Sequence, residues 1–170
     1  MRVRNVHERA FGATPGEVGA LIDSLASRRD RLWPRRAWPP MRFDRPLAVG
    51  AHGGHGPIRY DIEAYQPGRS IRFRFTAPRG FDGWHRFEVV EGAPVVLRHI
   101  LEMDTRGWAR LTWPLLFRPL HDALIEDSLT IAQISLGEVP GPEGWSRRVR
   151  LLRWILYLGK APLQDYANQA

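Results

Sequence analysis

Between Leu47 and Glu102 apolar and polar residues alternate in five short runs, and every connection between the runs carries turn chemistry. Few folds accept such a pattern. A period of two with one apolar side predicts half-buried strands, and short Gly- and Pro-containing connections make neighbouring strands antiparallel. The five apolar faces are Leu47, Val49 and Ala51, then Ile58, Tyr60, Ile62 and Ala64, then Ile71, Phe73 and Phe75. His85, Phe87 and Val89 follow, then Val95, Leu97, His99, Leu101 and Met103. The opposite faces carry Arg59, Asp61, Glu63, Arg72, Arg74, Arg86, Glu88, Arg98 and Glu102. Gly53-Gly54-His55-Gly56 is read as the first turn, Pro67-Gly68 as the second, Pro78 to Gly83 as the third and Glu91-Gly92-Ala93 as the fourth.

These turns also set a register, because a slip of one residue would turn every side chain over. They predict Ile62 opposite Phe73, Tyr60 opposite Phe75, Phe73 opposite Phe87, Phe87 opposite Leu97 and His85 opposite His99. One inward row then runs Tyr60, Phe75, His85, His99. Three of those four side chains bring a polar group to an apolar face.

An apolar sheet face needs a cover, and Trp113 to Gly137 supplies one. Leu116, Leu120, Ala123, Leu124, Ile131 and Ile134 recur at helical spacing, while Asp122, Glu126 and Asp127 are expected on wet faces. Pro119 should start or kink the regular helix, and Gly137 should stop it. Upstream, Val3 to Phe11 reads as a strand of poor alternation. Thr14-Pro15-Gly16-Glu17 is a capping box that opens a helix from about Pro15 to Ser27. Arg28 to Pro46 reads as a short helix and then an irregular loop, whose Trp33 and Trp38 serve as lid or edge packing rather than base-stacking platforms. Downstream, the VPGPEG linker leads to a basic amphipathic helix over residues 145–158, expected to lie on its own domain or on an anionic membrane surface.

Composition narrows the chemistry. The 170 residues contain no cysteine, which excludes disulfides and thiolate metal sites. The net charge of +7 rests on arginine, since Lys160 is the single lysine, and a solvated basic surface explains it without a nucleic-acid partner. The N-terminal residues lack the apolar run of a secretion signal and no segment is long enough for a membrane span, so a cytoplasmic protein is expected. No nucleophile elbow, dinucleotide fingerprint or phosphate loop is present. His52 and His55 sit in a glycine loop without a nearby acid, and two imidazoles fall short of a metal site. Neither a metal nor another cofactor is expected.

The order of elements, together with Ala13-Thr14-Pro15, Glu17-Val18, Pro67-Gly68-Arg69, Phe73-Arg74-Phe75, Gly80-Phe81, Gly83-Trp84-His85 and WPLLFRPLHDALIEDSL, resembles the START-like, helix-grip (SRPBCC) superfamily that includes Bet v 1 and polyketide cyclase/dehydratase-like proteins. The resemblance covers Val3 to Leu136. It implies an α+β fold in which a curved antiparallel sheet wraps a long C-terminal helix, over residues 1–137, with residues 138–170 as linker and tail. It also implies a cavity for an apolar ligand between sheet and helix, of about 300–1,000 Å³ if it is ordinary. In such a cavity Tyr60, His85 and His99 would meet the ligand's polar atoms. Phe73, Phe75, Phe87, Leu97, Leu120 and Leu124 would form the apolar wall.

Three functional classes follow. The first is binding of a hydrophobic small molecule, a lipid or polyketide-like compound. The second is a cyclase/dehydratase-type enzyme using the histidines as acid and base. The third is a membrane-peripheral or nucleic-acid-binding module acting through its arginines, which exposed Trp33 and Trp38 would favour. The histidines are equally compatible with a structural pair satisfied by Tyr60 and backbone carbonyls.

Overall fold

The computed structural model describes residues 1–141 and 144–156. Seven strands, β1 (Arg2–Phe11), β2 (Arg42–Phe43), β3 (His52–His55), β4 (Ile58–Gln66), β5 (Ser70–Ala77), β6 (Phe81–Val90) and β7 (Val95–Thr105), join in one antiparallel sheet. Their order is β1-β7-β6-β5-β4-β3-β2, so the N-terminal strand pairs with the last strand of the meander. The sheet curves around a long helix, α3 (Arg118–Ser135). Helix α1 (Pro15–Asp23), the short α2 (Ala109–Thr112), a π-helical turn (Trp113–Phe117) leading into α3, and α4 (Arg147–Leu156) complete the described elements.

The capping box forms as expected. The Glu17 backbone N–H donates to Thr14 Oγ1 at 3.3 Å, and the Thr14 N–H donates to Glu17 Oε2 at 2.8 Å. Such a cap stabilises a helix by about 1 kcal/mol. Helix α1 stops at Asp23 rather than Ser27, because the Ser24 hydroxyl donates back to the Leu21 carbonyl at 2.7 Å and Ala26 turns to a φ of 58°.

The glycines of residues 53 and 54 are strand rather than turn. They pair with β2 and β4, and the reversal falls at Gly56-Pro57. A Cβ at Gly53 would overlap the Arg42 carbonyl, and one at Gly54 the Ile58 carbonyl, so close backbone approach is what needs glycine here. Leu47 to Ala51 accordingly forms no strand. In the central hairpins Ile62 lies opposite Phe73 and Tyr60 opposite Phe75, as expected. A bulge at Glu63 then turns Tyr65, instead of Ala64, toward α1, where its hydroxyl meets Asp23 at 2.8 Å. Phe73 faces His85, Phe87 faces His99 and His85 faces Leu101, each two residues from the expected partner. Pro94 has no N–H to donate, so the β6–β7 ladder closes at Val90 and Val96. A shift of two keeps every side chain on its expected face.

The inner face of β1 is polar, which explains its poor alternation. Asn5 Nδ2 donates to Asp122 at 2.9 Å, His7 sits 2.6 Å from Glu126, and Arg9 donates to Glu126 and Gln133 at 2.7 Å each. Asp122 and Glu126 therefore line a seam with β1 instead of a wet face. Asp127 accepts from the Trp38 and Trp145 indoles at 2.6 and 3.0 Å. The buried stripe of α3 is Leu124, Ile125, Ser128, Leu129 and Ala132, so it is rotated from the expected one, and Ile134 faces outward.

The short helix expected between Arg28 and Pro46 does not form. Trp33 and Trp38 are buried, at 3% and 5% exposure, as lid packing requires. Arg153 of α4 lies over the rings of Trp38 and Trp145, and Val149 is buried against the domain. Leu151, Trp154 and Ile155 on the other side of α4 are exposed. Residues 157 and 158 of the expected tail helix, residues 142 and 143 of the linker, and Lys160 lie outside the described residues. No helix among the described residues is long and apolar enough to cross a membrane.

Candidate functional site

A cavity of about 240 Å³ lies between the sheet and α3. The sheet contributes His55, Phe75, Phe81, His85, His99 and Leu101, while the connection after α1 contributes Trp33 and Trp38. The helical side contributes Trp113, Leu116 and Phe117 from a π-helical turn (Trp113–Phe117), then Leu120, His121, Leu124 and Ile125. A π turn widens the helix locally and presents more side chains to one side, a form often found at functional sites.

Five of the nine residues expected from sequence line this hollow: Phe75, His85, His99, Leu120 and Leu124. Tyr60, Phe73, Phe87 and Leu97 stand behind the wall as fully buried core. Tyr60 spends its hydroxyl on His55 Nδ1, at 3.0 Å. Its ring still props His85, at 4.9 Å between centroids, and Phe73 and Phe75 pack on the same imidazole at 4.8 and 5.0 Å. The four side chains of the expected row thus meet, in a staggered arrangement set by the two-residue shift.

The polar content is a set of imidazoles. His85 Nδ1 and His99 Nε2 are 3.2 Å apart and share one proton-mediated hydrogen bond. Whichever ring donates, the pair is left with one N–H donor and one bare nitrogen acceptor. Those two atoms, His85 Nε2 and His99 Nδ1, are buried without a partner, and so is His121 Nε2. Burial pushes the pKa of His85 and of His99 well below the ordinary histidine value, and nearby imidazoles push in the same direction. Burial likewise lowers His55, to about 3. The hollow is therefore apolar, uncharged and supplied with unfilled hydrogen-bonding capacity. An unsatisfied buried polar group costs about 1–3 kcal/mol, which a polar atom of a ligand would recover.

Sequence reasoning missed His55, Phe81, Trp113, Phe117 and Ile125 as wall residues. Trp113, Leu116, Leu120 and Leu124 are spaced three, four and four apart, a signal present in the sequence for the end of the helix that faces the cavity. His55 carried no such signal, because its strand is hidden among glycines.

No protein-family model matches the chain, and no curated protein matches it. Solved structures do. CalU16 from Micromonospora echinospora superposes with a TM-score of 0.58 at 15% identity, covering 92% of this chain and 87% of that one. Norcoclaurine synthase from Thalictrum flavum, in complex with dopamine and hydroxybenzaldehyde, gives 0.60 at 15% identity over 83% and 90%. Ara h 8.0201 gives 0.52 at 12% identity over 81% and 97%. At these identities the shared property is the fold: this chain has the helix-grip α+β architecture of those structures.

Proposed function

We propose that this helix-grip chain binds one small, mostly apolar molecule, with a hydroxyl or carbonyl group set against His85 and His99. The observation that carries the reading is an apolar hollow whose wall includes a hydrogen-bonded pair of neutral imidazoles with one nitrogen each left over. At about 240 Å³ the space is below the usual range for drug-sized ligands, yet larger than the roughly 150 Å³ cavity that takes up benzene. A phenol of two fused rings is the size that fits. Because the pair offers a donor and an acceptor that exchange with the tautomer, it accommodates either a hydroxyl or a carbonyl.

Binding is favoured over cyclase- or dehydratase-type turnover. A general acid–base group works best with a pKa near the operating pH, and burial drives both histidines far below it. The arginine-module reading is weakened by two findings. Trp33 and Trp38 are buried, and many sheet arginines are paired: Arg72 and Arg74 with Glu63, Arg86 with Glu88, and Arg98 with Glu8.

A pair of probes tests the reading. Wild type should bind 2-naphthol more tightly than naphthalene, and His99→Leu should lose about tenfold toward 2-naphthol while naphthalene is unaffected. One hydrogen bond of about 1.4 kcal/mol, in the upper part of the usual range, sets that magnitude. Equal losses for both probes, with the melting temperature retained, would remove the imidazoles from the recognition. Loss of turnover on a candidate substrate at unchanged affinity would instead support the enzyme.

A further inference from the structure

Where β1 meets α3, His7 converges on two consecutive residues of the helix, more than a hundred positions away in the chain. The geometry points to a mononuclear site for a divalent transition metal, held by His7, His121 and Asp122. Asp122 Oδ1 lies 3.3 Å from His7 Nε2 and 3.4 Å from His121 Nδ1. The three prospective ligand atoms all fall within 4.8 Å of one another. Metal–nitrogen and metal–oxygen bonds of about 2.0–2.1 Å put neighbouring corners of a tetrahedron about 3.4 Å apart. Two of the three edges therefore already have the required length.

The surroundings match what a ligating imidazole needs. His7 turns its other nitrogen, Nδ1, to Glu126 Oε1 at 2.6 Å, the carboxylate–histidine arrangement of ligating imidazoles, and a metal would displace the proton that Nε2 shares with Asp122. Glu126 is itself held by Arg9 at 2.7 Å. Asn5 Nδ2 donates to Asp122 at 2.9 Å and fixes the carboxylate from the sheet side. All three groups are partly buried, which shields the site while leaving a route for an ion.

Two imidazoles and one carboxylate suit zinc, iron(II) or a neighbouring first-row ion rather than magnesium or calcium, which prefer oxygen throughout. Three protein ligands leave a coordination position open, as in catalytic rather than structural sites. His121 also belongs to the cavity wall, so the site borders the hollow. It stands independently of the ligand-binding reading, and either can fail alone.

Tag-free full-length protein, stripped with EDTA and titrated with Co²⁺, should develop visible d–d absorption that saturates at one equivalent and is bleached by Zn²⁺. His7→Gln and Asp122→Asn should each weaken binding by at least about 100-fold. Glu126→Gln should cost roughly 10–100-fold, the usual effect of an orienting carboxylate. His52→Ala removes the exposed His52–Asp61 pair, 2.7 Å apart, and should change nothing. Melting is followed in parallel. Should His7→Gln fail to fold, His121→Gln replaces it in the comparison. The site is overturned by the absence of a saturable spectrum, by a spectrum that survives the His7 and Asp122 substitutions, or by one lost with His52→Ala.

Discussion

Below pH 6.5 the protein should lose stability at up to about 4 kcal/mol per pH unit, or about 6 kcal/mol by pH 5. Three strongly depressed histidines carry most of this, and His121, lowered by burial too, adds to it in the same direction. Burial depresses His85 and His99 strongly and lowers His55 to about 3. In the unfolded chain all three titrate near 6.5. As pH falls below that value the unfolded state takes up protons that the folded state refuses, so stability falls with pH, by about 1.4 kcal/mol per group and unit. A domain of this size has only about 5–15 kcal/mol in total.

His7 works in the opposite direction. Burial lowers its pKa, but Asp122 and Glu126 outweigh burial and raise it to about 9. Its contribution is complete below the unfolded value of 6.5 and is lost as pH rises through about 9. It therefore offsets none of the further loss in acid. Greatest stability is expected between about pH 6.5 and 8. Urea midpoints at pH 7.5, 6.5 and 5.5, at constant ionic strength, measure the slope. Equal midpoints would mean that the three imidazoles protonate within the folded state, in contact with water.

Leu129→Asp should abolish folding at neutral pH. Leu129 is fully buried in the apolar core on the sheet-facing side of α3 and does not line the cavity, so a carboxylate there would be buried among apolar side chains. The expected loss is about 5 kcal/mol or more, at the extreme of single substitutions, because lost packing adds to an uncompensated charge. Circular dichroism and a thermal melt of the variant are sufficient. A cooperative melt within about 5 °C of wild type would mean that α3 is not the helix the sheet grips.

The parts of this fold legible from sequence are those where one strand face is wet and the other dry. β4 to β7 alternate because each is half-buried, and Ile62 reaches its expected partner Phe73 because the bulge at Glu63 offsets a turn of three residues, Pro67 to Arg69, where two were expected. The two-residue shift at β6 and β7 was not legible, since it depends on where Pro94 interrupts a ladder. β1 hid its role for a different reason. Its inward Asn5, His7 and Arg9 look like exposed polar residues until α3, more than a hundred positions later, brings Asp122, Glu126 and Gln133 over them. The same seam rotates the buried stripe of α3 away from Ile134 toward Ile125 and Leu129. In the site, residues on regular strands and on α3 were readable. The π-helical turn was not, because no sequence period announces a locally widened helix, and with it went Trp113 and Phe117. His55 was read as a turn because glycines that permit close strand approach resemble glycines that permit reversal.

The central claim is that the hollow between sheet and α3 receives a small apolar molecule whose polar group engages the paired imidazoles. The measurement closest to it is a titration of ¹⁵N-histidine-labelled protein with 2-naphthol at pH 7.5, read at the ring nitrogens. The account predicts saturation at one equivalent, with large shifts at His85 and His99, smaller ones at His121 and none at the exposed His52. A titration that never saturates, or one that moves His52 while leaving His85 and His99 in place, would contradict it.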